Sequence, residues 1–236
     1  MRSLILLTAA IGLLAAAPLH SDGTKGPANA GVILAVSGKA EVFAAGSDQS
    51  QALKLGGTLH VGDRIKTGAN GQVRATLLDG TRLNISYNTD ITLRDKNSKG
   101  KTSARGIASI KIALGELWAK VTKKDSQLEF ETPDAVAAVK GTEPGFVVQD
   151  GVDALTCIYL LSGAMQLSNG SGHADMTPMT QACLSAKSKL TQALVQGWDG
   201  KNAPKDGDST ASQATVQLQY KNAEGVVKSV ELDYSK

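Results

Sequence analysis

The chain has 236 residues, enough for one domain with a sizeable core and short extensions. Aromatic residues make up only 4% of it, so a core must be built mainly from Val, Leu, Ile and Ala, while 25 glycines supply turns. The 25 basic residues nearly balance the 22 acidic ones, and a net charge of +3 gives no basis for expecting a nucleic-acid partner.

The first 30 residues have the pattern of a secretory signal peptide followed by a polar linker. Arg2 precedes an apolar run over residues 4–17, which is too short to span a membrane comfortably. Small residues allow cleavage after Ala17 or after Ala30, and an uncleaved membrane anchor is the alternative. We expect a periplasmic or secreted protein with no stable membrane span after leader removal.

The pattern of residues 31–184 predicts a series of short strands. Apolar-alternating runs such as 32–36 and 40–43 are separated by glycine-bearing turns, and this alternation is typical of half-buried strands. The run 94–105 carries five basic residues and one acid without apolar spacing, and predicts an exposed loop.

Residues 55–87 are the most informative stretch about the strands and turns of the fold. Val73, Ala75 and Leu77 share one strand face, as do Leu83 and Ile85. A two-residue Asp79-Gly80 hairpin would put apolar and polar side chains on the same face. The parity instead favours a three-residue loop, with Gly80 in the left-handed position of a bulge, or a corner between successive strands.

Further breaks follow at intervals. Gly115-Glu116 separates two apolar runs and predicts a turn between strands, and Pro133 ends the alternating run 128–132. Glu116 beside Trp118 resembles a site residue, although turn chemistry explains it more simply. The stretch from Lys140 to Gly145 breaks the pattern again.

Cys157 and Cys183 are the only cysteines. In an oxidising compartment an even count is compatible with one disulfide, which would stabilise the fold by about 3 kcal/mol. Two buried free thiols are the alternative.

The C-terminal part changes character. Leu190 and Leu194 recur at helical spacing and Gly197 fits a helix stop, so a short helix is predicted over residues 185–199. Residues 200–213 have the composition of a flexible linker. Residues 214–236 predict a β-hairpin with an odd loop over residues 223–225.

The parity of this hairpin sets Leu218 opposite Val230 and Val216 opposite Leu232. An isolated hairpin is marginal in water, so it must dock on something.

We find no credible catalytic constellation, cofactor motif or metal site. His173 and Asp175 form the only metal-like pair, and two ligands without a third are weak evidence. An enzyme would be favoured only if Asp63, Asp79 and Asp90 clustered in one cleft. We therefore expect a non-enzymatic protein.

Five segments resemble, in order and spacing, the FecR domain, a periplasmic domain best known from regulators of iron-siderophore uptake. The resemblance covers about residues 31–184. Its segments are Val36-Ser37-Gly38 with Ala40-Glu41-Val42, LGGTLHVGDRIKTGANGQVRATLLDGTRLNI from Leu55, LGELWAKV from Leu114, FETPDAVAAVKGTE from Phe130, and LLSGAMQL from Leu160.

The resemblance implies an all-β fold, a solenoid-like or roll-like stack of short twisted strands, to which the sequence adds one short C-terminal helix and a terminal hairpin. It assigns turn roles to Gly62, Asp63, Asp79 and Gly80, and to the motif Lys140-Gly141-Thr142. In this chain Pro144-Gly145 interrupts that last motif, which is expected to keep the turn.

The FecR-type regulators carry a cytoplasmic segment that contacts a sigma factor, followed by a transmembrane helix. Here the leader begins at residue 1, so we do not carry over the anti-sigma role. The resemblance implies action through protein contacts in the bacterial cell envelope, in signalling or assembly. Open edge strands would offer a way to add a partner's strand.

The alternative is a domain that binds a small ligand or glycan of the envelope, for which an exposed Trp198 is the motivation.

Overall fold

The computed structural model describes residues 27–95, 107, 109–123, 128–152, 154–200, 203, 216–221 and 227–232. These residues form fifteen strands in one sheet and two in a separate sheet, which confirms the predicted all-β class. Within these ranges no helix is long and apolar enough to cross a membrane.

The first eight strands are short. They are β1 (Asn29–Ser37), β2 (Ala40–Phe43), β3 (Ser50–Ala52), β4 (Thr58–His60), β5 (Arg64–Thr67), β6 (Gln72–Leu77), β7 (Arg82–Ile85) and β8 (Asp90–Arg94).

Three of the remaining nine strands, β9, β11 and β12, are long. The full set is β9 (Ser109–Lys120), β10 (Glu129–Glu131), β11 (Val136–Gln149), β12 (Leu155–Asn169), β13 (Gly172–Met176), β14 (Thr180–Leu184), β15 (Gln196–Gly197), β16 (Val216–Lys221) and β17 (Val227–Leu232), with a 3-10 turn at Gln192–Leu194.

The fifteen-stranded sheet folds over on itself in two halves. The first half has the order β3-β2-β5-β8-β9-β10-β11-β12-β13, and the second has the order β4-β1-β6-β7-β9-β11-β12-β14-β15. Strands β9, β11 and β12 belong to both, each giving one end to each half. This is the roll-like arrangement that the resemblance implied, with corners made by bent strands.

The bends fall at glycines within the long strands. Gly141 and Gly163 have φ values of 58° and 88°, and a Cβ on Gly163 would lie 2.5 Å from the carbonyl oxygen of Gly141. The predicted turn at Lys140-Gly141-Thr142 is therefore wrong. The chain does not reverse there, because β11 pairs with β12 on both sides of a bulge between Lys140 and Pro144.

The same correction applies at Gly115-Glu116, which lies inside β9 instead of between two strands. Residues before Gly115 pair with β8, and residues from Gly115 onward pair with the second part of β11. A glycine break in an alternating pattern thus marks a corner in a long strand as readily as a turn.

One apolar core lies between the two halves. Phe130 of β10 and Phe146 of β11 are fully buried, and their rings stack with centroids 4.8 Å apart. Phe130 lies in the first half, whereas Phe146 lies in the part of β11 that belongs to the second. Their contact shows that the halves face each other across a shared interior.

The loop between β6 and β7 confirms the parity prediction. Thr76 pairs with Arg82, which leaves Leu77 opposite Thr81 and a three-residue loop over residues 78–80. The Gly80 N–H donates to the Leu77 carbonyl at 2.9 Å, and Gly80 has a φ of 87°. The apolar residues of both strands are consequently buried on one face.

The predicted helix over residues 185–199 is wrong. The segment is largely extended, with only the 3-10 turn at Gln192–Leu194 and the short strand β15. Leu190 is buried in the main core, while Trp198 is buried in a separate cluster. An α-helix rises only about 1.5 Å per residue, roughly half the rise of an extended chain, so extended backbone lets the segment reach both places.

The terminal hairpin is present as predicted. Strands β16 and β17 pair with Leu218 opposite Val230 and Val216 opposite Leu232. The predicted loop over residues 223–225 lies outside the described residues, and so does the predicted linker over residues 200–213 apart from Gly200 and Ala203.

Candidate functional site

The first predicted pair of turn residues, Gly62 and Asp63, holds the connection from β4 to β5. Asp63 is buried, and its Oδ2 accepts a hydrogen bond from the His60 N–H at 2.8 Å. The Gly62 N–H donates to the Leu93 carbonyl at 2.7 Å. The carboxylate of Asp63 therefore stabilises the turn in which it lies.

Asp79 has an equivalent role in the loop from β6 to β7. Its two carboxylate oxygens accept from the N–H and the hydroxyl of Thr81, at 2.9 and 3.0 Å. Together with the left-handed Gly80, this fixes the three-residue loop. Both residues are architectural, as the parity of the sequence predicted.

Lys140, Gly141 and Thr142 form the bend in β11. Thr142 is 1% exposed, and its carbonyl accepts from the Val121 N–H at 2.8 Å, which ties the bend to the end of β9. Its Oγ1 has no hydrogen-bond partner. Next to the bend, Glu143 pairs with Lys120.

Asp90 is bound by two cationic side chains. Its Oδ1 accepts from the Arg64 Nε at 2.8 Å, and Lys66 Nζ lies 3.4 Å from its Oδ2. Burial alone would raise the pKa of Asp90, but the hydrogen bond and charge of Arg64, together with Lys66, leave this pKa below its ordinary value. The same bond raises the pKa of Arg64.

The three aspartates whose clustering would indicate an enzyme thus have separate local partners. Asp63 and Asp79 lie in different turns, and Asp90 begins strand β8. In the described part of the chain, no group of three His, Cys, Asp or Glu side chains could hold a metal ion. His173 and Asp175 lie on β13, where the Asp175 Oδ1 accepts from the Gln166 side chain at 2.9 Å.

The disulfide prediction is confirmed. Cys157 of β12 and Cys183 of β14 are directly paired, with Cα atoms 4.1 Å apart, and are joined by a disulfide. The bond crosslinks two neighbouring strands of the second half, and Cys157 also packs against a cluster of aromatic side chains.

This aromatic cluster consists of Trp118, Tyr159 and Trp198. The ring centroid of Trp198 lies 5.8 Å from that of Trp118 and 5.1 Å from that of Tyr159, and the three residues are only 6–8% exposed. The Trp118 indole N–H donates to the Glu116 Oε1 at 2.7 Å, so Glu116 orients the indole. The expectation of an exposed Trp198 is wrong.

Sequence reasoning missed this cluster because its members come from β9, β12 and the C-terminal segment. The sequence did carry one signal, the Pro144-Gly145 interruption of the motif. In the structure Gly145 pairs with Trp118, and a Cβ there would lie 2.5 Å from the indole ring. The Pro144-Gly145 insertion in the motif therefore makes room for Trp118.

A shallow groove of about 370 Å³ lies beside the Arg64–Asp90 pair. Phe43, Asp48 and Thr92 line it together with Arg64, whose guanidinium lies 5.9 Å from the Phe43 ring centroid. Because this guanidinium is already bound to Asp90, the groove offers no obvious free cation for a ligand.

Two solved structures of a candidate anti-sigma factor from Parabacteroides distasonis ATCC 8503 are similar in fold. They share 17% and 16% identity with the chain, with TM-scores of 0.46 and 0.45. Each match covers 58% of this chain and 60% of the other, so this chain spans less than two thirds of their length.

No curated protein matches the sequence. A family model described as FecR protein matches residues 63–166. That range runs from Asp63 in the turn before β5 through the bent strands β9 and β11 into β12. Over residues 63–166 the chain is therefore similar to the FecR family.

Proposed function

We propose that this protein is a non-enzymatic FecR module that acts through protein contacts in the bacterial cell envelope. The FecR match over residues 63–166 carries this proposal, because FecR domains belong to regulatory, signalling proteins of the periplasm. The aspartates and the Lys140-Gly141-Thr142 motif serve the fold in the described structure, which supports a role through surface contacts.

The localisation proposal rests on the leader pattern and on the disulfide. A structural disulfide persists in oxidising compartments such as the periplasm or the extracellular space. We infer that the mature protein is periplasmic or secreted.

The test is chemical crosslinking of the tagged full chain in envelope extract, followed by mass spectrometry. We expect one envelope protein to be crosslinked at defined surface positions and to be displaced by an excess of untagged chain. Capture that the untagged chain never reduces, or no capture in repeated experiments, would contradict a protein-contact function.

A glycan-binding role is less well supported by the structure. Trp198, which motivated it, is packed against Trp118 and Tyr159. Unchanged tryptophan fluorescence across a panel of cell-wall fragments would count against it.

A further inference from the structure

The separate two-stranded sheet at the C-terminus needs a surface to pack on. A lone hairpin buries too little to be stable in water. In β16–β17 the register sets Val216 opposite Leu232 and Leu218 opposite Val230, and alternation gives all four positions the same parity. The hairpin therefore has one apolar face that requires a cover.

The fifteen-stranded sheet and the segment that follows it present an apolar surface near residue 203, the last described residue before β16. We call it the exit patch and define it as Val147, Leu161, Met179, Trp198 and Ala203. Val147, Leu161 and Ala203 pack, partly buried, against the aromatic cluster, and Met179 is 42% exposed. The Trp198 N–H donates to the Met179 carbonyl at 2.8 Å, so Met179 lies beside the C-terminal end of this part of the described chain.

Met179 has a second unusual property. It adopts a φ of 61°, a conformation that non-glycine residues other than Asn and Asp rarely take. An exposed apolar side chain on strained backbone is expected where a contact requires it. By contrast, the outward positions of the neighbouring β7 carry exposed Arg82 and Asn84.

The linker favours the chain's own hairpin as the occupant. Residues 204–215 can span at most roughly 40 Å when fully extended. A tether of this length holds the hairpin near the exit patch at an effective concentration in the order of millimolar. A partner in solution would have to compete with that concentration.

We propose that the apolar face of the β16–β17 hairpin docks on the exit patch of the same chain. Docking covers Met179, Leu161 and Val147. The hairpin then lies next to Trp198, on the side of the sheet that carries the aromatic cluster. This inference concerns the isolated chain and stands or falls independently of the proposed envelope partner.

Hydrogen exchange on the purified full chain tests the proposal. We expect the amides of β16 and β17 to exchange at least tenfold more slowly than in a synthetic peptide of residues 214–236. Met179→Asp places a charge in the exit patch and suits the left-handed backbone, so the domain should fold while hairpin protection falls toward the level of the peptide. Leu78→Asp is the matched control, because Leu78 is 68% exposed in the β6–β7 loop.

Three results would overturn the proposal. The hairpin could exchange as fast in the wild type as in the peptide, or keep its protection in Met179→Asp. Its protection could also rise with protein concentration together with a dimer in sedimentation, which would mean docking between copies. Loss of protection in Met179→Asp but not in Leu78→Asp, independent of concentration, supports docking within one chain.

Discussion

The side-chain amide of Gln192 forms hydrogen bonds with both backbone polar groups of Asp175. Its Nε2 donates to the Asp175 carbonyl at 2.8 Å, and its Oε1 accepts from the Asp175 N–H at 2.9 Å. Asp175 lies on β13, which ends the first half of the sheet, so the amide occupies the place of a neighbouring strand. The other terminal strands, β3, β4 and β15, have only two or three residues each. The expected addition of a partner's strand therefore has little free edge to use.

Replacing Gln192 by Ala should expose this edge. Each lost hydrogen bond is worth about 1 kcal/mol, so we expect the Asp175 amide to exchange with solvent roughly five- to tenfold faster. Gln192→Glu keeps an acceptor for the Asp175 N–H but loses the donor, and should retain more protection than Gln192→Ala. Equal exchange in wild type and Gln192→Ala would show that other groups cover the edge.

Gly145→Ala should destabilise the fold by disturbing the aromatic cluster. The added methyl would lie 2.5 Å from the ring of Trp118, which is held between Tyr159 and Trp198. Overpacking of this kind costs about 1–3 kcal/mol, measurable as a lower urea midpoint with altered tryptophan fluorescence. Gly170→Ala is the control, since a Cβ there meets nothing within 4 Å. Similar midpoints for both variants would mean that Trp118 moves aside freely.

Removing the disulfide should destabilise the fold, because the unfolded chain gains conformational entropy when the crosslink is absent. Cys157 and Cys183 are 26 residues apart, and closing such a loop contributes about 3 kcal/mol in the chain-entropy model. We expect Cys157→Ala with Cys183→Ala to lower the free energy of unfolding by roughly that amount in urea titrations. A reductant should destabilise the wild type and leave the double variant unchanged. A wild type indifferent to reductant would contradict a stabilising disulfide.

The Arg64–Asp90 pair should make the free energy of unfolding depend on pH in the acid range. Because the pKa of Asp90 is lower in the folded protein than in the unfolded chain, ionisation of Asp90 favours folding above the unfolded value, near 4. That contribution is lost as the pH falls through the folded value. The stability difference between wild type and Asp90→Asn should therefore be largest at neutral pH and shrink in acid.

Arg64→Gln provides the matched test, since it removes the partner that lowers the pKa of Asp90. It should lose the same acid-dependent component of stability. Parallel curves of unfolding free energy against pH for wild type and Asp90→Asn would contradict this account.

We predict that the proposed leader is cleaved before Ala28. Strand β1 begins at Asn29, inside the segment assigned to leader and linker, and the Ala28 carbonyl accepts from the Val61 N–H at 2.8 Å. The Ala30 carbonyl likewise accepts from the Leu78 N–H at 3.0 Å. Cleavage after Ala30 would remove the start of this strand. Intact-mass analysis of secreted protein should give an N-terminus upstream of Ala28, and a mature chain beginning at Gly31 would refute the prediction.

The sequence alone determined the local features of this protein. Alternation and turn chemistry act between neighbouring residues, so the parity around Asp79-Gly80 predicted the three-residue loop, and the same reasoning predicted the register of the terminal hairpin. The motifs also indicated the resemblance to the FecR family, whose model matches residues 63–166. The even cysteine count allowed the disulfide that joins Cys157 and Cys183.

Only the tertiary structure decided which glycines bend a strand and which end it. Gly141 and Gly163 lie in continuous strands because pairing between β11 and β12 resumes beyond the bulge, and no local pattern reports that pairing. Tertiary burial also overrode the helical spacing after Ser185, because Leu190 and Trp198 are buried at separate places. Contacts between residues far apart in sequence, such as Trp118 with Trp198, depend on how the sheet folds over, which periodicity does not encode.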